Sequence, residues 1–329
     1  MSQLEAQAVK LQRARELGVA MLDDREIDFD RWGMAEADRA KVREATCWEQ
    51  ELIDHFCAPN EALGAYLPWS KTHSNIRLRA GELSIWAGVN GHGKSMALSQ
   101  VMLSLATQGE PSCIASLEMR PVASLARMAR QAVGTEQPSP RAIRDFSGLI
   151  RGQMWLYDQQ GTIRYERMLA VVRYAREALH VKHFVIDSLM KCGINSDDYN
   201  AQKRMVDALS TYARDSGLHI HLVAHSRKRE SEAAVMDKFD IKGASEITDM
   251  ADNVFTLWRN KAKEAKVEKG VETEEDRAAP DAVLACDKQR HGEWEGRIAL
   301  WFNRRCQQFV GKQTTQPIDY LRGDARESA

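Results

Sequence analysis

The residues whose types and spacing could do chemistry begin with GVNGHGKS, in which Gly88, Gly93, Lys94 and Ser95 hold the fixed positions of G-x-x-x-x-G-K-S. A short apolar run, Leu83 to Ala87, leads into it, and the leucine-rich MALSQVMLSLATQG follows. Strand, glycine-rich turn, helix is the order in which this pattern marks a triphosphate site. Glycines let successive backbone N–H groups curl around phosphate oxygens, and the new helix offers unpaired N–H groups to the same charge. The candidate nucleotide contacts are Gly88, Asn90, Gly91, Gly93, Lys94, Ser95 and Met96. Lys94 would lie as a point cation over the β and γ phosphates, and Ser95 would offer an oxygen to Mg²⁺.

Four further groups could complete such a site. Asp187 closes the apolar run HFVIDS, where a P-loop ATPase needs a carboxylate for its Mg²⁺ shell; the plainer reading is a strand-end cap. Glu118, directly after SCIASL, fits two readings equally: a carboxylate that orients the attacking water, or an acid favoured by the dipole of a helix's first turn. His225 ends the run LHIHLVAH, where a polar side chain can sense a γ-phosphate; a satisfied core histidine is the alternative, and His219 and His221 are read as ordinary strand members. In CDKQRHG, Lys288 and Arg290 point the same way from an extended backbone. An arginine supplied across an interface stabilises charge on a transferring phosphoryl group, although by itself this pair reads as a solvated hairpin rim.

The elements that must position these residues alternate. From Gly81 onwards apolar, non-alternating strands (SCIAS, Met154 to Tyr157, KHFVIDS, Leu218 to His225, Asn253 to Trp258) are separated by helical patterns at Val122 to Ala132, Arg141 to Ile150, Tyr165 to Leu179 and Tyr199 to Ser216. That pattern predicts an α/β fold with a mostly parallel sheet covered by helices. A charged stretch, KAKEAKVEKGVETEEDRAAP, reads as a solvent-facing excursion, and Ala282 to Asp287 with Arg297 to Phe302 as a closing hairpin before a polar tail. Ahead of the core, residues 1 to about 60 are charged and helical in pattern. Leu4, Val9, Leu11, Leu17, Met21 and Leu22 form a loose stripe, and a helix is expected over Ala35 to Phe56 with Trp48, Leu52, Ile53 and Phe56 on one face. The expected division is a helical segment 1–66, a core 67–310 and a polar tail 311–329.

Bulk properties exclude some classes. The N-terminal stretch is charged throughout, so it is not a secretory signal, and no run approaches the length of a membrane span. Cysteines 47, 57, 113, 192, 286 and 306 show no zinc spacing, which points to a reducing compartment. A net charge of −1 neither favours nor excludes nucleic acid, because a ring can carry basic residues inside and acidic ones outside.

With these motifs in order, the sequence resembles the core of the RecA-like replicative hexameric helicases, the DnaB type and the helicase halves of phage primase-helicases. GVNGHGKS, SLEM (Ser116 to Met119), FVIDS, LVAHSRK, KGASEITDMADNVFTLWRN and DKQRHG carry the likeness, over roughly Leu67 to Phe309. The resemblance implies a RecA-like P-loop core and a hexameric ring on single-stranded DNA, translocating 5′ to 3′ and unwinding duplex with ATP (or dTTP) and Mg²⁺. By position it implies Glu118 as catalytic glutamate, Ser95 and Asp187 as Mg²⁺ ligands, His225 as γ-phosphate sensor, and Arg290 with Lys288 as the finger reaching a neighbour's nucleotide. It also implies a DNA loop offering Lys228, Arg229, Lys238, Lys242 and Gly243, with Lys191 to Asn200 as a second channel-facing loop. Ahead of Gly81 there is too little chain for a primase domain and no zinc module. The expectation is therefore a stand-alone phage-type member, acting in the host cytoplasm beside a separate primase and polymerase. Within the N-terminal segment a helix is expected to dock on the next subunit. Two rival readings use the same core: a RecA-type strand-exchange filament, and an ATP-gated scaffold or loader.

Overall fold

Strand Leu83–Ala87 is buried at every position, and so are His183–Asp187 and His219–Val223. Such strands must be covered on both faces, which is why they read as continuous apolar runs. The computed structural model describes residues 20–22, 28, 46, 49–57, 64–194, 198–225 and 244–322. In chain order the strands are β1 (Ala20–Leu22), β2 (Leu83–Ala87), β3 (Ser112–Ser116), β4 (Met154–Tyr157), β5 (His183–Asp187), β6 (His219–Val223), β7 (Asn253–Arg259), β8 (Ala282–Gln289), β9 (Gly296–Asn303) and β10 (Gln308–Val310). The helices are α1 (Glu49–Cys57), α2 (Lys94–Thr107), α3 (Pro121–Val133), α4 (Pro140–Ile150), α5 (Tyr165–Ala178), α6 (Tyr199–Ser216), α7 (Ala244–Met250), α8 (Lys261–Lys269) and α9 (Glu274–Ala278).

The strands form one sheet in the order β1-β4-β3-β5-β6-β2-β7-β8-β9-β10. Pairing is parallel from β1 to β7 and antiparallel from β7 to β10. Alternate residues feed two cores. Val185, Val223, Trp86 and Phe255 pack beneath α2, α3 and α4, while Phe184, Ile186, Ile220, Leu222 and Ile85 face α5 and α6. This is the α/β architecture expected from the sequence.

The departures are local. Met21 and Leu22, expected in a helical stripe, lie in β1, which pairs in parallel with Trp155–Tyr157 of β4. Of the helix expected over Ala35 to Phe56, Glu49–Cys57 is helical; Trp48 and the stripe from Leu4 to Leu17 lie outside the described residues. The charged excursion is a helical pair, α8 and α9, with Thr273 and Asp276 forming a capping box. The expected polar tail is in part core: Ile318 and Tyr320 are buried. Gln308 clasps that segment, its Nε2 donating to Ile318 O (2.7 Å) and its Oε1 accepting from Ile318 N (2.9 Å). Gln100 on α2 clasps Phe309 of β10 in the same way, at 2.9 and 2.8 Å.

At the amino edge of the central strands three buried histidines form a chain. The Trp86 indole donates to His221 Nδ1 (3.2 Å), so the hydrogen of His221 sits on Nε2 and points at His183 Nδ1 (3.1 Å). His219 Nδ1 donates to Arg79 O (2.6 Å) and its Nε2 accepts from Ser84 Oγ (2.8 Å). Every nitrogen assigned in this way is consistent with neutral rings. Burial pushes all three below the ordinary histidine range; neighbouring imidazoles push His183 and His221 further down, while Glu82 and Asp252 partly oppose the shift at His219. Below about pH 6.5 the unfolded chain takes up protons that these rings refuse. Their contribution to stability is therefore complete above that pH and is lost as pH falls towards the depressed folded values. Denaturant titrations between about pH 7.5 and 5 should show a shallower loss of stability in His221→Gln than in wild type, and equal slopes would contradict the neutral-ring assignment.

Candidate functional site

The parallel register brings the carboxyl ends of β3, β5, β6 and β2 side by side, the edge where ligands bind in open α/β sheets. The chain turns out of β2 at Gly88 because nothing larger fits: a Cβ there would lie 2.5 Å from Leu257 O. Gly93, with φ +90°, is the N-cap of α2 and supplies no side-chain cap, so the helix start faces the loop uncapped. Asn90 and Gly91 form the exposed crest of the turn, while Met96 packs its side chain on the core. His92 is buried beneath the crest, its Nδ1 accepting from Arg259 N (3.3 Å), which ties the loop to the end of β7. The sequence reading did not single out His92, which occupies a variable position of the motif.

Lys94 is buried, and its Nζ donates to Gly88 O (2.8 Å) and Val89 O (3.1 Å). Burial pushes its pKa down to about 8 against the pull of Asp187 and Glu118. Ser95 Oγ donates to Asp187 Oδ2 at 2.6 Å. Burial raises the Asp187 carboxyl and Glu118 adds to that, while the Ser95 hydrogen bond, Lys94 and Arg127 act in the opposite direction. Arg127, on α3, lines the cleft beside Ser95, Ser116 and Asp187. No motif flagged it; only the fold brings α3 over this edge.

Glu118 follows β3, with Leu117 N donating to Asp187 O (2.8 Å), and its side chain is 44% exposed. His225 lies two residues beyond β6, and between the two stands Ser188. The structure thus gathers Lys94, Ser95, Glu118, Asp187 and His225 at one edge. These residues suit a magnesium–triphosphate. A hydroxyl and a carboxylate already in contact could hold the cation, and an uncapped helix start with a buried ammonium could hold the phosphates. Among the described residues no cluster of three or more His, Cys, Asp or Glu could bind a metal unaided. Mg²⁺ needs none, since it is ordinarily held by one or two carboxylates together with substrate phosphates.

Lys288 and Arg290 lie elsewhere. Gln289 pairs with Asn253, which pairs with Ser84 near the start of β2, whereas the P-loop follows Ala87. Arg290 is therefore at the amino edge of the sheet, opposite its own P-loop. There its Nη1 meets Asp252 Oδ1 (3.1 Å) and its Nη2 donates to Asp249 O (3.0 Å). Lys288 Nζ donates to Thr248 O and Asp249 O, both at 2.9 Å. Both cations thus grip the last turn of α7. Lys228, Arg229, Lys238, Lys242 and Gly243 lie outside the described residues.

Residues 74–231 match the family model of the AAA domain. A solved helicase ATPase domain superposes with a TM-score of 0.66 at 16% identity, covering 84% of this chain and 100% of that one. A DnaB-like replicative helicase, solved in a study of its interactions with primase, gives 0.63 at 14%, covering 84% and 68%. This is the RecA-like ATPase fold of DnaB-type helicase domains. The family match ends shortly after β6, so Lys288 and Arg290 of the RecA-like domain fall beyond it. No helix among the described residues is long and apolar enough to cross a membrane.

The site separates two contributions to nucleotide binding. Lys94→Ala should weaken triphosphate binding roughly tenfold or more with or without Mg²⁺. Asp187→Asn should leave metal-free binding intact and remove the gain that Mg²⁺ confers. Fluorescent-nucleotide titrations with Mg²⁺ and with EDTA check this; equal losses in both variants under both conditions would contradict it.

Proposed function

We propose that this chain is an ATP-driven replicative DNA helicase. It works as a ring, by resemblance of six copies, moving 5′ to 3′ along single-stranded DNA and unwinding the duplex ahead. The observation that carries the reading is the separation of the P-loop from Lys288 and Arg290 by the depth of the sheet. A subunit whose own cations cannot reach its own triphosphate is suited to serve its neighbour's. Head-to-tail contacts of that kind build rings when the rotation closes. The same contact with an open rotation gives a filament, the runner-up reading, and images of the DNA-bound form distinguish the two.

In this mechanism Glu118 accepts a hydrogen bond from the attacking water and orients it. Lys94 turns from the carbonyls of Gly88 and Val89 to the phosphates, and Arg290 with Lys288 from the adjoining copy neutralise the charge that develops. Bound Mg²⁺, held through Ser95 and Asp187, would supply further charge neutralisation. His225 carries the change in phosphate occupancy to the basic region from Lys228 to Gly243, which holds DNA through its phosphates. Binding is then weakly sequence-dependent and salt-sensitive. Helix α1, with Leu52, Ile53 and Phe56 exposed at 58%, 46% and 77%, is the segment suited to dock on the next copy. Primase and polymerase are separate partners in the bacterial cytoplasm; the primase study of the DnaB-like neighbour is in keeping with such a partner.

Two measurements test this. ATP hydrolysis should rise several-fold on adding single-stranded DNA, and a protein indifferent to DNA would sink the motor reading. Lys94→Ala and Arg290→Ala should each be inactive, yet an equimolar mixture should recover about a quarter of wild-type hydrolysis, because one interface in four combines the intact halves. A mixture as dead as its components would refute sharing of the site between copies.

A further inference from the structure

Between the carboxylate and the histidine stands a hydroxyl that no motif assigns. Ser188 is fully buried. Its Oγ donates to Glu118 Oε1 at 3.2 Å, and His225 Nε2 lies 3.2 Å from the same oxygen. A serine hydroxyl has a single hydrogen, so with that hydrogen committed to Glu118 the histidine must be the donor. His225 and Glu118 themselves are 3.9 Å apart, beyond a direct hydrogen bond. The bridge is held from behind. Ser188 O accepts from Lys191 N (2.9 Å), and Leu117 N donates to Asp187 O (2.8 Å), locking the segments that bear Ser188 and Glu118 together.

We infer that Ser188 is a positioning residue that couples His225 to Glu118, so that the state of the loop beyond β6 sets the aim of the water-orienting carboxylate. This deepens the helicase reading and rests on it. With His225 in place, its N–H polarises the Ser188 hydroxyl and strengthens the bond to Glu118, as in any hydrogen-bonded chain. With His225 withdrawn, the hydroxyl loses its donor and is free to rotate, and Glu118 loses the contact that fixes its Oε1. Nothing in the device requires a proton to be transferred; it works through orientation.

The test is a double-mutant cycle on purified full-length protein, with Ser188→Ala, His225→Ala and the double variant assayed with and without single-stranded DNA. Ser188→Ala should keep the wild-type KM for ATP within about twofold and lower kcat roughly tenfold, with stimulation by DNA abolished. The double variant should be no worse than His225→Ala alone, because both changes cut the same link. Ser188→Thr, which keeps the hydroxyl, should restore part of the stimulation, and Ser188→Cys, close in size but a poor donor, should not. The inference is overturned if the two single effects multiply, if Ser188→Ala retains wild-type stimulation, or if Cys serves as well as Thr. Should wild type itself ignore DNA, the motor reading falls, and the cycle scored on the basal kcat still decides whether Ser188 links the two groups.

Discussion

Lys94 and Asp187 are both buried, and a buried charge is tolerated only where hydrogen bonds and an opposite charge replace the lost water. The ammonium takes two carbonyls of its own loop, and the carboxylate takes the hydroxyl of Ser95. Those carbonyls can turn inward only because Gly88 packs its bare Cα against Leu257 O. Much of the surrounding geometry answers this one demand. The parallel pairing of β3, β5, β6 and β2 delivers the partners to one edge, and the uncapped start of α2 adds N–H groups still in want of acceptors. The arrangement is provisional by construction. The two carbonyls that hold Lys94 are weak neutral acceptors that a phosphate would outbid.

The opposite edge follows the same logic with a different outcome. Arg290 and Lys288 rest on the carbonyls of Thr248 and Asp249, with the Asp252 carboxylate in contact with Arg290. Two cations on the last turn of a helix complement its negative end. Holding them there also ties the amino edge of the sheet to α7, the element that follows the basic region in the chain. Under the proposed function, a pull on one cation by a neighbouring copy is felt along that helix.

How much of this was legible in the sequence depended on what buries each residue. Strands β2, β5 and β6, covered on both faces, announced themselves as unbroken apolar runs, and the P-loop by a spacing that phosphate geometry imposes. Strand β10 and the segment through Tyr320 did not, because QQFVGKQTTQPIDY is polar in composition. It is buried only because Gln100, Gln131 and Gln308 satisfy backbone groups that no pattern of hydrophobicity records. Strand β1 was too short to register against a loose helical stripe. In the site, Glu118, Asp187 and His225 could be picked from their places at strand ends, whereas Arg127 comes from a helix laid over the edge. Ser188 is adjacent to a motif residue and was passed over because serine at a strand end has an ordinary structural use.

Those glutamines have a consequence for how the molecule comes apart. The helix that begins at Lys94 is moored to the rest of the fold by amides, through Gln100 to Phe309 and Gln131 to Met96. Neutral moorings of this kind are indifferent to dissolved ions, whereas a polyanion held by lysines and arginines is released as ions accumulate. Brine should therefore strip such a cargo from the engine long before it loosens the engine block.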